Sequence, residues 1–207
     1  MALGERWPRI LLASMQVWDP RHNRAVLECQ ESDDFLSDLA VAGSPRTLLA
    51  TSGDGTLTAV SLRQQGAREQ SEPFDEEFLS LVVLKHGRKV LVGAGDGSTN
   101  VFNWGQWDTP GDRLLLAGSH AVDSLAALSE DLFCMGTADG SIRVAGILPT
   151  RNLGVVGAHG RFPVESLSVS HDGGLVASCS HDQQVKFWDV SSVDSQPSSG
   201  QDFFADL

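Results

Sequence analysis

Short apolar runs, broken by small and polar residues, dominate the chain. Four segments share one pattern: an apolar pair, small residues, an Asp beside a turn residue, then apolar residues in alternation. They are LLATSGDGTLTAVSL (48–62), VLVGAGDGSTNVFNW (90–104), LFCMGTADGSIRVAGI (132–147) and LVASCSHDQQVKFWDV (175–190). The turn aspartates Asp54, Asp96, Asp139 and Asp182 follow one another at 42, 43 and 43 residues. A second marker keeps the same register: Leu39, Leu81, Leu125 and Leu167 lie 14 or 15 residues before them.

Alternation with a period of two predicts half-buried strands, and Asp-Gly between two such runs predicts a tight hairpin. Each unit therefore reads as a first strand carrying the Leu, a second before the Asp and a third after it. The first strands are expected around Leu36–Val41, Phe78–Leu84, Val122–Leu128 and Val164–Val169. A more variable fourth strand is expected near 68–74, 112–118 and 152–157. A period of 40–45 residues with four short strands is that of a propeller blade. The fold class is all-β: a partial β-propeller of about four consecutive four-stranded antiparallel blades, plus a fragment of a preceding one. The expected divisions are a partial blade at 15–34 and blades at about 35–77, 78–121, 122–163 and 164–190. An acidic, Ser-rich, disordered tail is expected at 191–207. No sustained helical period occurs; short turns are conceivable only in the acidic loop Glu69–Glu77.

The chain has 207 residues, enough for one or two domains with a core. Its net charge of −12 repels phosphate backbones, so direct nucleic-acid binding is not expected. No apolar stretch is long enough to span a bilayer, and no membrane partner is expected. Ile10–Val17 after Arg9 has a faint signal-peptide look, but Ser14 and Gln16 interrupt it. Cys29, Cys134 and Cys179 are odd in number and form no C-x-x-C, which argues against a disulfide framework or a zinc site. No metal site and no cofactor are expected. GAGDGS (93–98) lacks the third Gly of a dinucleotide loop and leads into a strand, so it reads as a hairpin turn. SEPFDEEF (71–78) reads as a solvated loop, with a cation or a basic partner as the alternative.

Ser180, His181 and Asp182 invite a hydrolase reading. No G-x-S-x-G nucleophile elbow occurs anywhere in the chain. Ser180 and Asp182 are two residues apart, so both face one way beside a turn, which suits a hydrogen-bonded corner better than an exposed nucleophile. The chain is read as non-enzymatic.

FWDV at 187–190 and VWDP at 17–20 carry a signature pair, and with the repeats they resemble WD-repeat propeller units. The resemblance implies a structural tetrad of His159, Ser180, Asp182 and Trp188. At the Trp position the other blades have Val60, Phe102 and Ala145. At the Ser/Thr position they have Ser52, Ala94 and Thr137. Only the last blade has a full set. His22 and His120 read as solvent-exposed loop residues.

A narrower likeness rests on FNW (102–104), DR (112–113), GTADGSIRVAGILPTR (136–151), ESLSVSHDGGLVAS (165–178), SHDQQVKFWD (180–189) and QDFFADL (201–207). These resemble a nucleolar branch of the WD-repeat family, covering the later blades of a seven-bladed propeller. The resemblance implies a scaffold for protein–protein interaction in ribosomal RNA production and large-subunit maturation, with pre-ribosomal factors as partners and a nuclear or nucleolar placement.

The chain departs from that branch in three ways. Upstream blades are missing. Only three residues separate Ser14 from Trp18, so the first WD unit lacks its hairpin, and residues 1–14 are expected to be non-homologous. Where the family has a basic stretch, SSVDSQPSSG (191–200) has no Lys or Arg, which also opens a cytoplasmic placement. The chain reads as a truncated or alternatively spliced form, or an incomplete gene prediction. WDPR at 18–21 matches a W-D-x-R box, which implies a second partner class: the adaptor of a cullin–RING ubiquitin ligase, docked through Trp18, Asp19 and Arg21. Open propeller edges also predict self-association.

Overall fold

In a computed structural model, residues 13–21, 24–32, 34–43, 46–63 and 67–193 are described. The described regular structure is all strand. β1 (Ala13–Asp19) and β2 (Arg24–Ser32) form a two-stranded antiparallel ribbon. β3 (Leu36–Ala42), β4 (Thr47–Ser52), β5 (Leu57–Ser61) and β6 (Arg68–Gln70) form the first full blade. β7 (Phe78–Leu84), β8 (Lys89–Ala94), β9 (Thr99–Asn103) and β10 (Asp112–Leu114) form the second. β11 (Val122–Ala127), β12 (Leu132–Thr137), β13 (Ser141–Gly146) and β14 (Arg151–Ala158) form the third. β15 (Val164–Val169), β16 (Leu175–Ser180) and β17 (Val185–Asp189) form the fourth, which has three strands among the described residues rather than the expected four. Its third strand runs into a turn over 190–193, and the expected tail from 194 onward lies outside the described residues.

The Leu register placed the first strands: β3, β7, β11 and β15 occupy the expected segments to within a residue. Asx turns make the hairpins between second and third strands. Asp54 Oδ1 accepts the Thr56 N–H at 3.1 Å, Asp96 that of Ser98 at 2.9 Å, Asp139 that of Ser141 at 2.9 Å and Asp182 that of Gln184 at 3.0 Å. The residue after each Asp takes a positive φ: Gly55 at 75°, Gly97 at 87°, Gly140 at 85° and, in the last blade, Gln183 at 63°. Gly is required where the loop before the next blade crosses the turn. A Cβ on Gly55 would lie 2.3 Å from Phe74 O, and one on Gly140 2.8 Å from Gly160 O. Gln183 stands in the last blade, which no further blade follows among the described residues.

The blades stack face to face, and the core lies between them. Leu49, Leu57 and Ala59 of the first blade meet Phe78, Val90, Val92 and Phe102 of the second. Val82, Leu84, Leu91 and Val101 of the second meet Leu125, Phe133, Met135 and Ala145 of the third. Cys134 and Val144 of the third meet Val176 and Trp188 of the fourth. Alternate side chains of one strand thus serve opposite neighbours, which is why strands such as β8 and β12 are apolar on both faces. Along the axis, β3 packs on β7, β7 on β11 and β11 on β15, whereas β15 and β3 do not pack as these neighbours do. The result is an open arc.

The preceding fragment is not bare. β1 and β2 lay Met15, Val17, Leu27 and Cys29 over Leu48, Ala50 and Val60, so the incomplete N-terminal unit has an apolar partner on one side. Ala13 and Ser14, expected to be foreign to the fold, open β1. The missing hairpin is visible as one uninterrupted strand from Ala13 to Asp19.

Inner-strand hydroxyls tie each blade to the next. Ser80 Oγ donates to Val122 O at 2.9 Å and Ser124 Oγ to Val164 O at 3.1 Å. At the first junction Asp38 occupies the equivalent position, and its Oδ2 accepts the Leu81 N–H at 2.9 Å. The neighbouring Ser37 there donates to Phe78 O at 2.6 Å. Gly93 and Gly136, opposite Ser80 and Ser124, allow the approach: a Cβ would lie 2.7 Å from Val122 Cγ1 and from Val164 Cγ1, respectively.

Candidate functional site

The polar cluster of the last blade is built on β16, β17 and the loop before β15. His159 is buried in that loop. Its Nδ1 lies 2.8 Å from Asp182 Oδ2, and its Nε2 lies 2.7 Å from Ser178 Oγ. Trp188 Nε1 donates to the same Ser178 Oγ at 2.8 Å. Lys186 Nζ, 3.2 Å from Asp182 Oδ2, closes the outer end. The chain runs Trp188–Ser178–His159–Asp182–Lys186.

Three of the four residues expected in the tetrad meet here, and the fourth does not. Ser178 holds the place assigned to Ser180. Ser180 Oγ instead donates to Phe162 O at 3.2 Å and accepts the Asp182 N–H at 3.4 Å. Ser52 does the same work in the first blade, toward Phe35 O and the Asp54 N–H. Both serines project from one face of β16, so alternation alone does not separate them. Register does: Trp188 pairs with Val176, and its indole N–H reaches diagonally to Ser178. The sequence held the signal, because the positions equivalent to Ser178 are Ala50, Val92 and Met135. They are apolar wherever the Trp position is apolar.

Ser180, His181 and Asp182 form no relay. His181 Nε2 turns away to Glu165 Oε1 at 3.0 Å, and Asp182 is engaged by His159. Burial pushes the Asp182 carboxyl up, but hydrogen bonds from His159, the Gln184 N–H and Lys186 together bring it below the usual carboxylate range. Asp139 behaves alike. Desolvation opposes ionisation, and Thr137, Ser141 and Arg143 outweigh it, lowering the group to about 2. Asp96 is lowered by Ser98 and Arg113 against its burial. His120, an exposed side chain, approaches Asp139 only to 3.9 Å. His22 lies outside the described residues.

The inner strands carry a shallow cleft. Each has a bulge that inserts one extra residue: Ser37, Leu79, Asp123 and Glu165. These line the cleft with Asp38, Ser80 and Ser124. Burial, with the Glu165 charge added, raises Asp123 to about 6. Among the described residues no three His, Cys, Asp or Glu side chains are grouped to hold a metal ion. No helix among them is long and apolar enough to cross a membrane.

At the other end of the arc, Trp18 is 56% exposed and donates its indole N–H to Gln16 Oε1 at 3.1 Å. Asp19 grips Arg21 through two bonds of 3.1 Å, Nε to Oδ1 and the terminal nitrogen to Oδ2, and caps its backbone N–H at 2.9 Å. The W-D-x-R residues therefore sit together at the solvent edge of the ribbon.

The WDR55 family model matches residues 13–193. WD repeat-containing protein 55 of Mus musculus is 34% identical over 179 residues, which is 86% of this chain and 46% of that protein. Its Arabidopsis thaliana counterpart is 35% identical over 179 residues, 86% of this chain and 50% of that protein. The Dictyostelium discoideum homolog is 35% identical over the same length, covering 43% of that protein. The chain spans about half the length of the curated relatives it matches. The match begins at the start of β1 and runs through the last blade, over the same repeats whose turns, rungs and polar cluster are set out above: the chain belongs to the WDR55 family of WD-repeat propeller proteins.

Proposed function

We propose that the chain is a non-enzymatic scaffold for protein–protein interaction, working in ribosomal RNA production and large-subunit maturation with pre-ribosomal factors as its partners. Family membership supports the first part, since a propeller presents loops and blade faces rather than a reactive centre. One observation carries the mechanism. The side chains that could be read as a catalytic set are engaged elsewhere, Ser180 with Phe162 O, His181 with Glu165 and Asp182 with His159, while apolar side chains on the terminal blade faces stand in solvent. Nuclear and nucleolar placement belongs to the same proposal, weakened by the absence of Lys and Arg from 191–207.

A second reading has its own observation. Arg21, with an 83% exposed side chain, is held in a fixed fork by Asp19 at a free corner of the arc, a pre-ordered group for docking on a ubiquitin-ligase adaptor. Affinity capture from cells with mass spectrometry separates the two. Enrichment of pre-ribosomal factors, unchanged by Arg21→Ala, supports the scaffold in ribosome production. Enrichment of ligase subunits that Arg21→Ala abolishes replaces it. Capture of neither class rejects both.

A further inference from the structure

Three connections join third strands to fourth strands, and the one between β9 and β10 is the longest: residues 104–111, against 62–67 and 147–150. It reaches out of its own blade. Trp107, 4% exposed, packs with Leu49, Leu57 and Ala59 of the first blade. Trp104 stands edge-on to it, ring centroids 5.2 Å apart, and lies so close to Gly43 that a Cβ there would meet its ring at 2.4 Å. Asp108 O accepts the Glu72 N–H at 3.0 Å. Two indoles and one backbone bond thus clasp the second blade to the first. Just past the clasp, Thr109 is exposed on irregular backbone, and its hydroxyl has no partner among the described residues. Pro110 follows it. A Pro holds the preceding residue extended and has no N–H of its own, the two features by which a proline-directed kinase accepts a hydroxyl. Ser119 and Thr150 are also exposed outside strands, but His120 and Arg151 follow them. The other hydroxyl–Pro pair of the sequence, Ser44-Pro45, lies outside the described residues.

We propose that Thr109 is a phosphorylation site for a proline-directed kinase, and that its phosphate loosens the clasp between the first and second blades. Transfer forms a bond from Thr109 Oγ1 to the γ-phosphorus of ATP and breaks the bond from that phosphorus to the bridging oxygen. ADP leaves, and the hydroxyl proton goes to the base of the kinase. Asp112, third after Thr109, points to an enzyme that reads Pro alone rather than one that needs a basic residue there. The phosphate brings about two negative charges at neutral pH. Asp108 and Asp112 flank it in sequence, and Glu72 is tied to Asp108 through the backbone. All three carboxylates are exposed, and no ion pair among the described residues engages them. Like-charge repulsion therefore bears on the bond from Glu72 to Asp108, one residue from the phosphate.

The inference goes beyond the scaffold reading and stands without it. The test incubates the full chain with Mg-ATP and a mitogen-activated protein kinase, and locates phosphate by peptide mass spectrometry. Thr109 should be modified in the folded chain at a rate comparable to that in a free peptide of residues 104–114. Pro110→Ala should slow the transfer about tenfold, and Thr109→Val should remove it. The modified chain should melt roughly 2–4 °C below the unmodified one, a drop that high salt and Glu72→Lys both shrink. Phosphate on the peptide but none on Thr109 of the folded chain overturns the site, and so does modification of Ser44 alone. An unchanged melting temperature, or a drop that salt and Glu72→Lys leave intact, overturns the loosening.

Discussion

Ser178 is the residue on which the last blade's polar chain turns. It accepts the Trp188 indole N–H and contacts His159, and it is almost fully buried. Ser178→Ala leaves the buried His159 ring nitrogen and the part-buried Trp188 indole N–H without their partner and should cost about 1–3 kcal/mol in a denaturant melt. Ser180→Ala, at a half-buried strand end, should cost less than half as much. The reverse order would return Ser180 to the cluster, and labelling of Ser180 by a fluorophosphonate probe would return the hydrolase. The turn aspartates give a pH signature. Asp139 titrates at about 2 in the folded chain against 3.8 for an ordinary Asp. A depressed carboxylate contributes stability that is present above its unfolded value and lost as pH falls through its folded one. The melting temperature should therefore drop between about pH 4 and 2, and Asp139→Asn should shallow that drop. Asp139 was legible from the repeat register. Alternation did not separate Ser178 from Ser180, because a period of two puts both on one face; only the comparison with Ala50, Val92 and Met135 at the equivalent positions does.

Strands were the most legible level, since a register of 42–43 residues held by both Leu and Asp leaves little freedom in placing them. What the pattern did not show is how closely they meet. Gly136 and Cys179 occupy equivalent positions, opposite Ser124 and Ser166. At Gly136 a Cβ would meet the Ser124 hydroxyl at 2.4 Å and Val164 Cβ at 2.8 Å, whereas no further blade presses on Cys179 among the described residues. Gly136→Ala should destabilise by about 1–3 kcal/mol through overpacking, and Cys179→Ala should leave the melt within about 0.5 kcal/mol of the parent. Equal effects would mean that inter-blade approach does not set the residue there. The bulges in β3, β7, β11 and β15 were equally hidden. Each extra residue is an ordinary letter in the sequence, and only the pairing with the second strand reveals that it has no partner.

Both ends of the arc expose blade faces that the interior buries. Leu39 and Val41 on β3 are 52% and 59% exposed where inner strands of a preceding blade would cover them, and Leu175, Val185 and Phe187 stand open at the other end. Apolar attraction between copies is opposed by a net charge of −12 on each. Salt screens the repulsion and leaves the apolar term, so the light-scattering mass should rise with ionic strength. A mass that stays monomeric at high salt would remove self-association from the picture. Charge also enters placement in the cell. Lys or Arg substitutions between Val193 and Gly200 should move a tagged chain toward the nucleus, and tight nucleolar retention of the unmodified chain would contradict that expectation.

Blade count, strand order, turn chemistry and the absence of an elbow for catalysis were all readable along the chain, because each depends on neighbours within about forty residues and recurs in register. Three of the four residues of the polar cluster, His159, Asp182 and Trp188, came from what the resemblance to WD-repeat units implies. The open arc was expected from the repeat count; the three strands of the last blade among the described residues and the outward face of Val185, Phe187 and Asp189 were not. An alternating strand is written the same way whether its second face meets another blade or water, and only the stacking of sheets separates Val144, buried against Val176, from its counterpart Phe187 in solvent. The packing of Met15 and Leu27 over Leu48 likewise depended on where the ribbon lies in space, since a local pattern specifies which side chains are apolar but not what will cover them.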